Sequence, residues 1–185
     1  RGFNAAAIGG DGSCGSHGVR VKRVPRGKFA CRIGGGGASA WDPRPHQLLQ
    51  ENFPRGSLVT LTPWDPQELW PLMAAALNRR PAIIVPFVTR PTEIVIDRKA
   101  AGLPPANAAA SGVYLLRKAR AKNAGVVVLQ GSEVGYAFVQ EALPLLDKKG
   151  VDLFVYYVAS AELFDLLPRR TQEKIFPEEH AKRAM

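Results

Sequence analysis

Apolar runs and polar turns alternate along most of this chain. The clearest case is Val126-Val-Val-Leu-Gln-Gly-Ser-Glu-Val-Gly135, where an apolar run enters a Gly-Ser-Glu turn and a helical pattern follows at once. A strand feeding a helix across a tight polar turn is the repeating unit of a layered α/β domain. The helix predicted over 136–149 has Phe138, Val139, Ala142, Leu143 and Leu146 at core-facing spacing. Strands are predicted over 112–116, 126–129 and 153–158. A helix is predicted over 161–167, with Glu162 and Asp165 decorating its start.

Upstream, 57–61 reads as a strand with β-branched content. Asp65 then serves as an N-cap, Pro66 takes the first helical position, and Glu68 at the third completes a capping-box-like pair. Leu69, Leu72, Met73, Ala76 and Leu77 form the buried stripe, Trp64 and Trp70 pack, and Asn78-Arg-Arg-Pro81 stops the helix. The near-continuous apolar run over 82–88 predicts a strand buried on both faces of a parallel sheet. A short helix over 45–52 and a short strand over 93–96 complete the elements. Such alternation predicts a largely parallel sheet with right-handed crossovers.

Composition changes the picture mainly at the amino end. The 185 residues suffice for one ordinary domain or two small ones, and 46% hydrophobic content supports a core. Residues 1–40 are different: two glycine clusters flank Arg20, Lys22, Arg23, Arg26, Lys28 and Arg32, a basic run with no acid. Val19, Val21 and Val24 alternate weakly, so this stretch reads as a short exposed strand or as a mobile arm. The net charge of +9 fits a soluble basic protein or an anionic partner. Only Phe29 interleaves with the basic run and no RNA- or DNA-binding motif accompanies it, so a solvated arm is favoured over nucleic-acid binding. Cys14 and Cys31 form no Cys-x-x-Cys pair, which predicts a reduced, cytoplasmic protein. No apolar run approaches the roughly 20 residues that span a bilayer. The chain opens at Arg1 without Met and stops at Met185 after a charged segment, so a piece of a longer protein is expected.

Two places could carry chemistry. In Trp41-Asp-Pro-Arg-Pro-His-Gln47 an acid and an imidazole lie four apart on a proline-stiffened turn. Asp42 and His46 could bind a substrate hydroxyl and carbonyl, with the His moving a proton near neutral pH, or could be ordinary turn residues. Arg90 follows the 82–88 strand, at the carboxyl end where open α/β sheets bind ligands. Its guanidinium matches phosphate bidentately, and it equally fits a surface arginine. Ser132 lacks a nucleophile-elbow pattern and reads as an N-cap. Gly10-Asp-Gly12 reads as a loop, and His17 and His180 are assigned nothing.

Several blocks together resemble the transketolase family. Gly131-Ser-Glu-Val134 and Ser160-Ala-Glu-Leu-Phe-Asp165 resemble its C-terminal domain. Asp42, His46 and Gln47 keep the spacing of its Asp-x-x-x-His-Gln run, Pro63-Trp-Asp-Pro-Gln-Glu68 resembles its helix start, and Pro81-Ala-Ile-Ile-Val-Pro-Phe-Val-Thr-Arg90 its strand ending in arginine. The departures are Ala40-Trp41 for Gly-Glu, Pro43-Arg44-Pro45 for Gly-Pro-Thr, and Gly34 where the family has a phosphate-contacting His.

The resemblance implies two three-layer α/β domains with largely parallel sheets. Residues 1–40 would be the basic arm, 41–92 the end of a pyrimidine-binding domain, 93–110 a linker, and 111–185 an incomplete C-terminal-type domain. It implies a thiamine-diphosphate-dependent and Mg²⁺-dependent transferase moving a two-carbon ketol unit between phosphorylated sugars. Asp42 would recognise a donor hydroxyl, His46 the reacting carbonyl and hydroxyls, and Arg90 the substrate phosphate. It also implies a homodimer, or assembly with a diphosphate-binding segment. The main cofactor ligands are expected outside these residues, so the chain alone is expected to be inactive. The alternatives are an inactive subunit serving assembly and a basic nucleic-acid-binding module.

Overall fold

The computed structural model describes residues 19–24, 28–33, 52–88, 94–120 and 123–184. The chain divides into two compact units, Arg1–Asn52 and Phe53–Met185. In the first, β1 (Val19–Val24) pairs antiparallel with β2 (Lys28–Ile33), from Val19 opposite Ile33 to Val24 opposite Lys28. The helix expected over 45–52 falls almost wholly outside the described residues.

The second unit is α/β. β3 (Leu58–Leu61) is fully buried and leads through a 3₁₀ turn (Pro66–Glu68) into α1 (Leu69–Arg79). β4 (Ile83–Pro86) returns parallel to β3, with Leu58 opposite Ile83. After a second 3₁₀ turn (Ala106–Ser111) come β5 (Val113–Arg117) and β6 (Asn123–Gln130). A continuous helical stretch follows: α2 (Ser132–Ala137), a π segment (Phe138–Ala142) and α3 (Leu143–Lys148). β7 (Asp152–Val158), α4 (Ala161–Asp165), α5 (Arg169–Ile175) and α6 (Glu178–Ala181) finish the described chain. The second sheet has the order β5-β7-β6, with β6 parallel and β5 antiparallel to β7.

The antiparallel β5 has a direct cause. Only 118–122 separate β5 from β6, and a parallel return needs a crossover of a dozen residues or more. The π segment lies just before Pro144, whose missing N–H cannot join the helical ladder at Gln140. β4 is half-exposed rather than buried on both faces, because β3 is its only strand partner among the described residues. Residues 94–97 form no strand, and Ile94 and Val95 are exposed.

One core joins the two sheets. Val59 and Leu61 of β3, Leu72 and Ala76 of α1, Leu116 of β5 and Tyr157 of β7 belong to a single buried cluster. Each such aliphatic side chain contributes roughly 1.5–3 kcal/mol by leaving water. The α1 stripe is narrower than its spacing suggests: Leu72 and Ala76 are buried, whereas Leu77 is exposed. Trp64 is fully buried, but Trp70 is 78% exposed and does not pack.

Candidate functional site

The carboxyl ends of β3, β4, β6 and β7 meet at one ledge. The Phe87 N–H, just past β4, donates to the Leu61 carbonyl at 2.7 Å. The Phe87 carbonyl in turn accepts from the Ser132 hydroxyl at 3.1 Å, which joins the end of β4 to the turn after β6. The Thr62 N–H donates to the Ala159 carbonyl at 2.7 Å, and the Thr62 hydroxyl reaches the Val158 carbonyl at 3.0 Å, joining β3 to β7. The Tyr157 hydroxyl donates to the Thr62 carbonyl. Strand carboxyl ends are where open α/β sheets hold ligands, because their loops and helix starts converge there.

The Gly-Ser-Glu turn is built to sit on this ledge. Gly131 precedes α2 with φ 102, a left-handed value that favours glycine. Gly135 lets the backbone of α2 lie directly on Trp64: a Cβ there would come within 2.5 Å of the Trp64 Cβ and 2.8 Å of the Tyr157 ring. Ser132 is the first helical residue, not the N-cap, and its hydroxyl makes no cap bond; it is used on Phe87 instead. On the other side, Thr60 donates to both oxygens of Glu162 at 2.9 and 2.8 Å, so Glu162 ties α4 to β3 rather than decorating a helix start.

Behind the ledge lies a buried ionic network. Glu68 is fully buried, and Arg98 and Asp65 are 6% and 2% exposed. Arg98 Nε sits 2.9 Å from Asp65 Oδ2, while its Nη2 pairs with Glu68 Oε1. The Tyr114 hydroxyl also donates to Glu68, and the Trp64 indole N–H donates to the Tyr114 oxygen at 2.6 Å. The guanidinium carbon stands 4.9 Å from the Trp64 ring centre, within cation–π range. Burial raises the Glu68 pKa above 4.5, opposed by its bonds from Tyr114 and Arg98 and by the Arg98 charge. Burial and the Glu68 charge hold the Tyr114 phenol well above its usual value, so it stays a donor. Asp65 caps the helix start as expected, accepting from the Gln67 N–H at 3.0 Å with Pro66 next. Glu68 reaches back to the Trp64 N–H at 3.3 Å, not to the cap residue.

Beside this network, Gln67, Val95, Arg98, Lys99, Leu103 and Pro105 line a hollow of about 700 Å³. Neither Arg98 nor the network was visible as a site in the sequence. Arg98 and Tyr114 lie 30 and 46 residues from Glu68, and neither forms a local pattern with it. The only available signal was the unexpected acid at an otherwise core-facing helix start.

Asp42, His46 and Arg90 lie outside the described residues. Arg90 follows Phe87 by three residues, immediately beyond the ledge in the chain. Among the described residues no three His, Cys, Asp or Glu side chains cluster so as to hold a metal ion. No described helix is long and apolar enough to cross a membrane.

Known proteins are similar to this chain in sequence and in fold. No protein-family model matches the chain. A transketolase of Aquifex aeolicus (strain VF5) is 28% identical over 141 residues, covering 75% of this chain. The chain spans 20% of that relative's length. In fold it is similar to transketolase from Leishmania mexicana, with a TM-score of 0.54 at 21% identity over 73% of this chain and 18% of that one. It is also similar to the Pichia stipitis transketolase solved with sedoheptulose-7-phosphate, with a TM-score of 0.52 at 21% identity over 65% of this chain and 17% of that one. By sequence and by fold, this chain is similar to part of the transketolases.

Proposed function

We propose that this chain is part of a thiamine-diphosphate-dependent, transketolase-like enzyme of the cytoplasm that transfers a two-carbon ketol unit between phosphorylated sugars. The observation that carries the reading is the meeting of four strand ends just before Arg90. An arginine guanidinium is suited to hold a phosphate dianion bidentately. In this reading Arg90 binds the sugar phosphate, Asp42 accepts from a donor hydroxyl, and His46 contacts the reacting carbonyl and moves a proton near neutral pH. When bound, the cofactor would supply the carbon chemistry, and the protein binding and orientation. The diphosphate and Mg²⁺ ligands come from another segment or subunit, in a homodimer or a mixed assembly. The 185-residue chain alone therefore does not turn over.

A second reading is an inactive subunit that keeps the scaffold for assembly. Gly34 and the altered residues around Asp42 favour it. Calorimetric titration of thiamine diphosphate with Mg²⁺ into the intact assembly separates the two. Saturable heat is expected for the enzyme, and its absence supports the assembly role. Ketol transfer by the purified chain with no partner would contradict the claim that it is incomplete.

A further inference from the structure

The Arg98 guanidinium is only partly used by its ion network. Its Nε stands 2.9 Å from Asp65 Oδ2, and its Nη2 pairs with Glu68. The third nitrogen, Nη1, is buried and has no hydrogen-bond partner among the described residues. A guanidinium has five N–H donors and cannot shed its charge, and a buried donor left unmet is costly. Arg98 is 6% exposed, and it lines the hollow beside the network.

That hollow is shaped by its own backbone bonds. The Leu103 N–H donates to the Arg98 carbonyl at 2.8 Å, and Asp97 Oδ1 accepts from the Ala100 N–H at 3.0 Å, which closes the turn over 97–103. The Gln67 side-chain amide donates to the Ile96 carbonyl at 2.9 Å and ties this wall to the helix start. Val95, Ile96, Leu103, Pro105 and Ala106 supply apolar lining. A volume of about 700 Å³ suits a small-molecule site, and such sites are mostly apolar with a few placed polar groups. The charges do not favour an anion. Arg98 already faces two carboxylates, and Asp97 accompanies Lys99 in the lining. We propose that this hollow binds a small neutral molecule with an apolar body and one carbonyl oxygen, which accepts from Arg98 Nη1. The site does not depend on the ketol-transfer reading.

The test is titration of cyclohexanecarboxamide into the ¹⁵N-labelled full chain, followed by NMR. Saturable shifts are expected at the amides of Ile96, Arg98, Lys99 and Leu103 and at the Arg98 Nη1 hydrogens, with a Kd of about 1–10 mM for so small a probe. The anion cyclohexanecarboxylate should bind about tenfold more weakly, because burying a charge without a free counter-charge is unfavourable. Ala106→Leu, which fills the hollow, should weaken the carboxamide about tenfold. Val95→Ser, at a 60%-exposed position that leaves the core intact, should weaken it about threefold. Lys99→Gln should leave it unchanged. The proposal is overturned by no saturable shift at these residues, which would leave water as the occupant. It is equally overturned by tighter binding of the carboxylate, or by full affinity in Val95→Ser.

Discussion

Two strand-to-helix junctions in this chain look alike in sequence and are used differently. After β3, Thr62-Pro-Trp-Asp-Pro-Gln-Glu68 opens a helix; after β6, Gly131-Ser-Glu-Val134 does the same. At the first, the Asp65 side chain caps the helix locally by accepting from the Gln67 N–H. At the second, Ser132 makes no cap bond and docks on Phe87, while Gly135 admits Trp64. The first junction secures its own helix and carries a buried ion network; the second fastens one sheet to the other. The same residue types serve local structure or tertiary docking depending on what packs opposite.

The largest effect should come from breaking the network. Arg98→Met leaves Glu68 and Asp65 buried without their guanidinium, at a cost of about 3–5 kcal/mol in chemical denaturation. Adding Glu68→Gln should recover part of that loss; no recovery would mean the pair is not coupled. Next comes Gly135→Ala. Its methyl meets the Trp64 Cβ, which cannot swing away, and overpacking of this kind costs about 1–3 kcal/mol. A thermal midpoint equal to the parent's would place α2 differently from the arrangement described here.

The smaller effects separate cap from dock. Asp65→Asn retains a capping oxygen but loses the ion pair, whereas Ser132→Ala loses one hydroxyl bond, at about 1 kcal/mol. Asp65→Asn should therefore be the more destabilising of the two. A pH scan sharpens the contrast further. The folded state binds the Glu68 proton more tightly than the unfolded chain, so this group's contribution falls as pH rises from 4.5 through the raised value. Glu68→Gln should lose less stability than the parent over that window. Equal slopes would show that Glu68 titrates normally.

Much of the layered fold could be read from the sequence, because strand and helix periods are local. The strands at 58–61, 113–117, 123–130 and 152–158 all carry compact apolar runs, and Asp65-Pro66 announces its helix. The antiparallel direction of β5 was also available, in the short connection that follows it, but alternation suggested a parallel strand. What could not be read was long-range: the apolar run at 82–88 does not reveal that β4 would lack a second neighbour, nor Trp70 that nothing described covers it. Glu68 reads as a cap partner until Arg98 and Tyr114 are brought to it by the fold. His180, unassigned from sequence, bonds the Tyr156 hydroxyl at 2.7 Å, a contact set by where α6 packs. The ledge itself follows from tertiary contacts at Phe87 and Thr62, for which no motif exists.

The functional account is tested most directly by Arg90→Ala, comparing KM for phosphorylated and unphosphorylated acceptors in the intact, cofactor-loaded assembly. Loss of a charged phosphate contact should raise KM for phosphorylated sugars about tenfold to a hundredfold, and leave that for unphosphorylated sugars nearly unchanged. An equal change for both classes would contradict a phosphate-binding role for Arg90, and with it the sugar-phosphate reading of this chain.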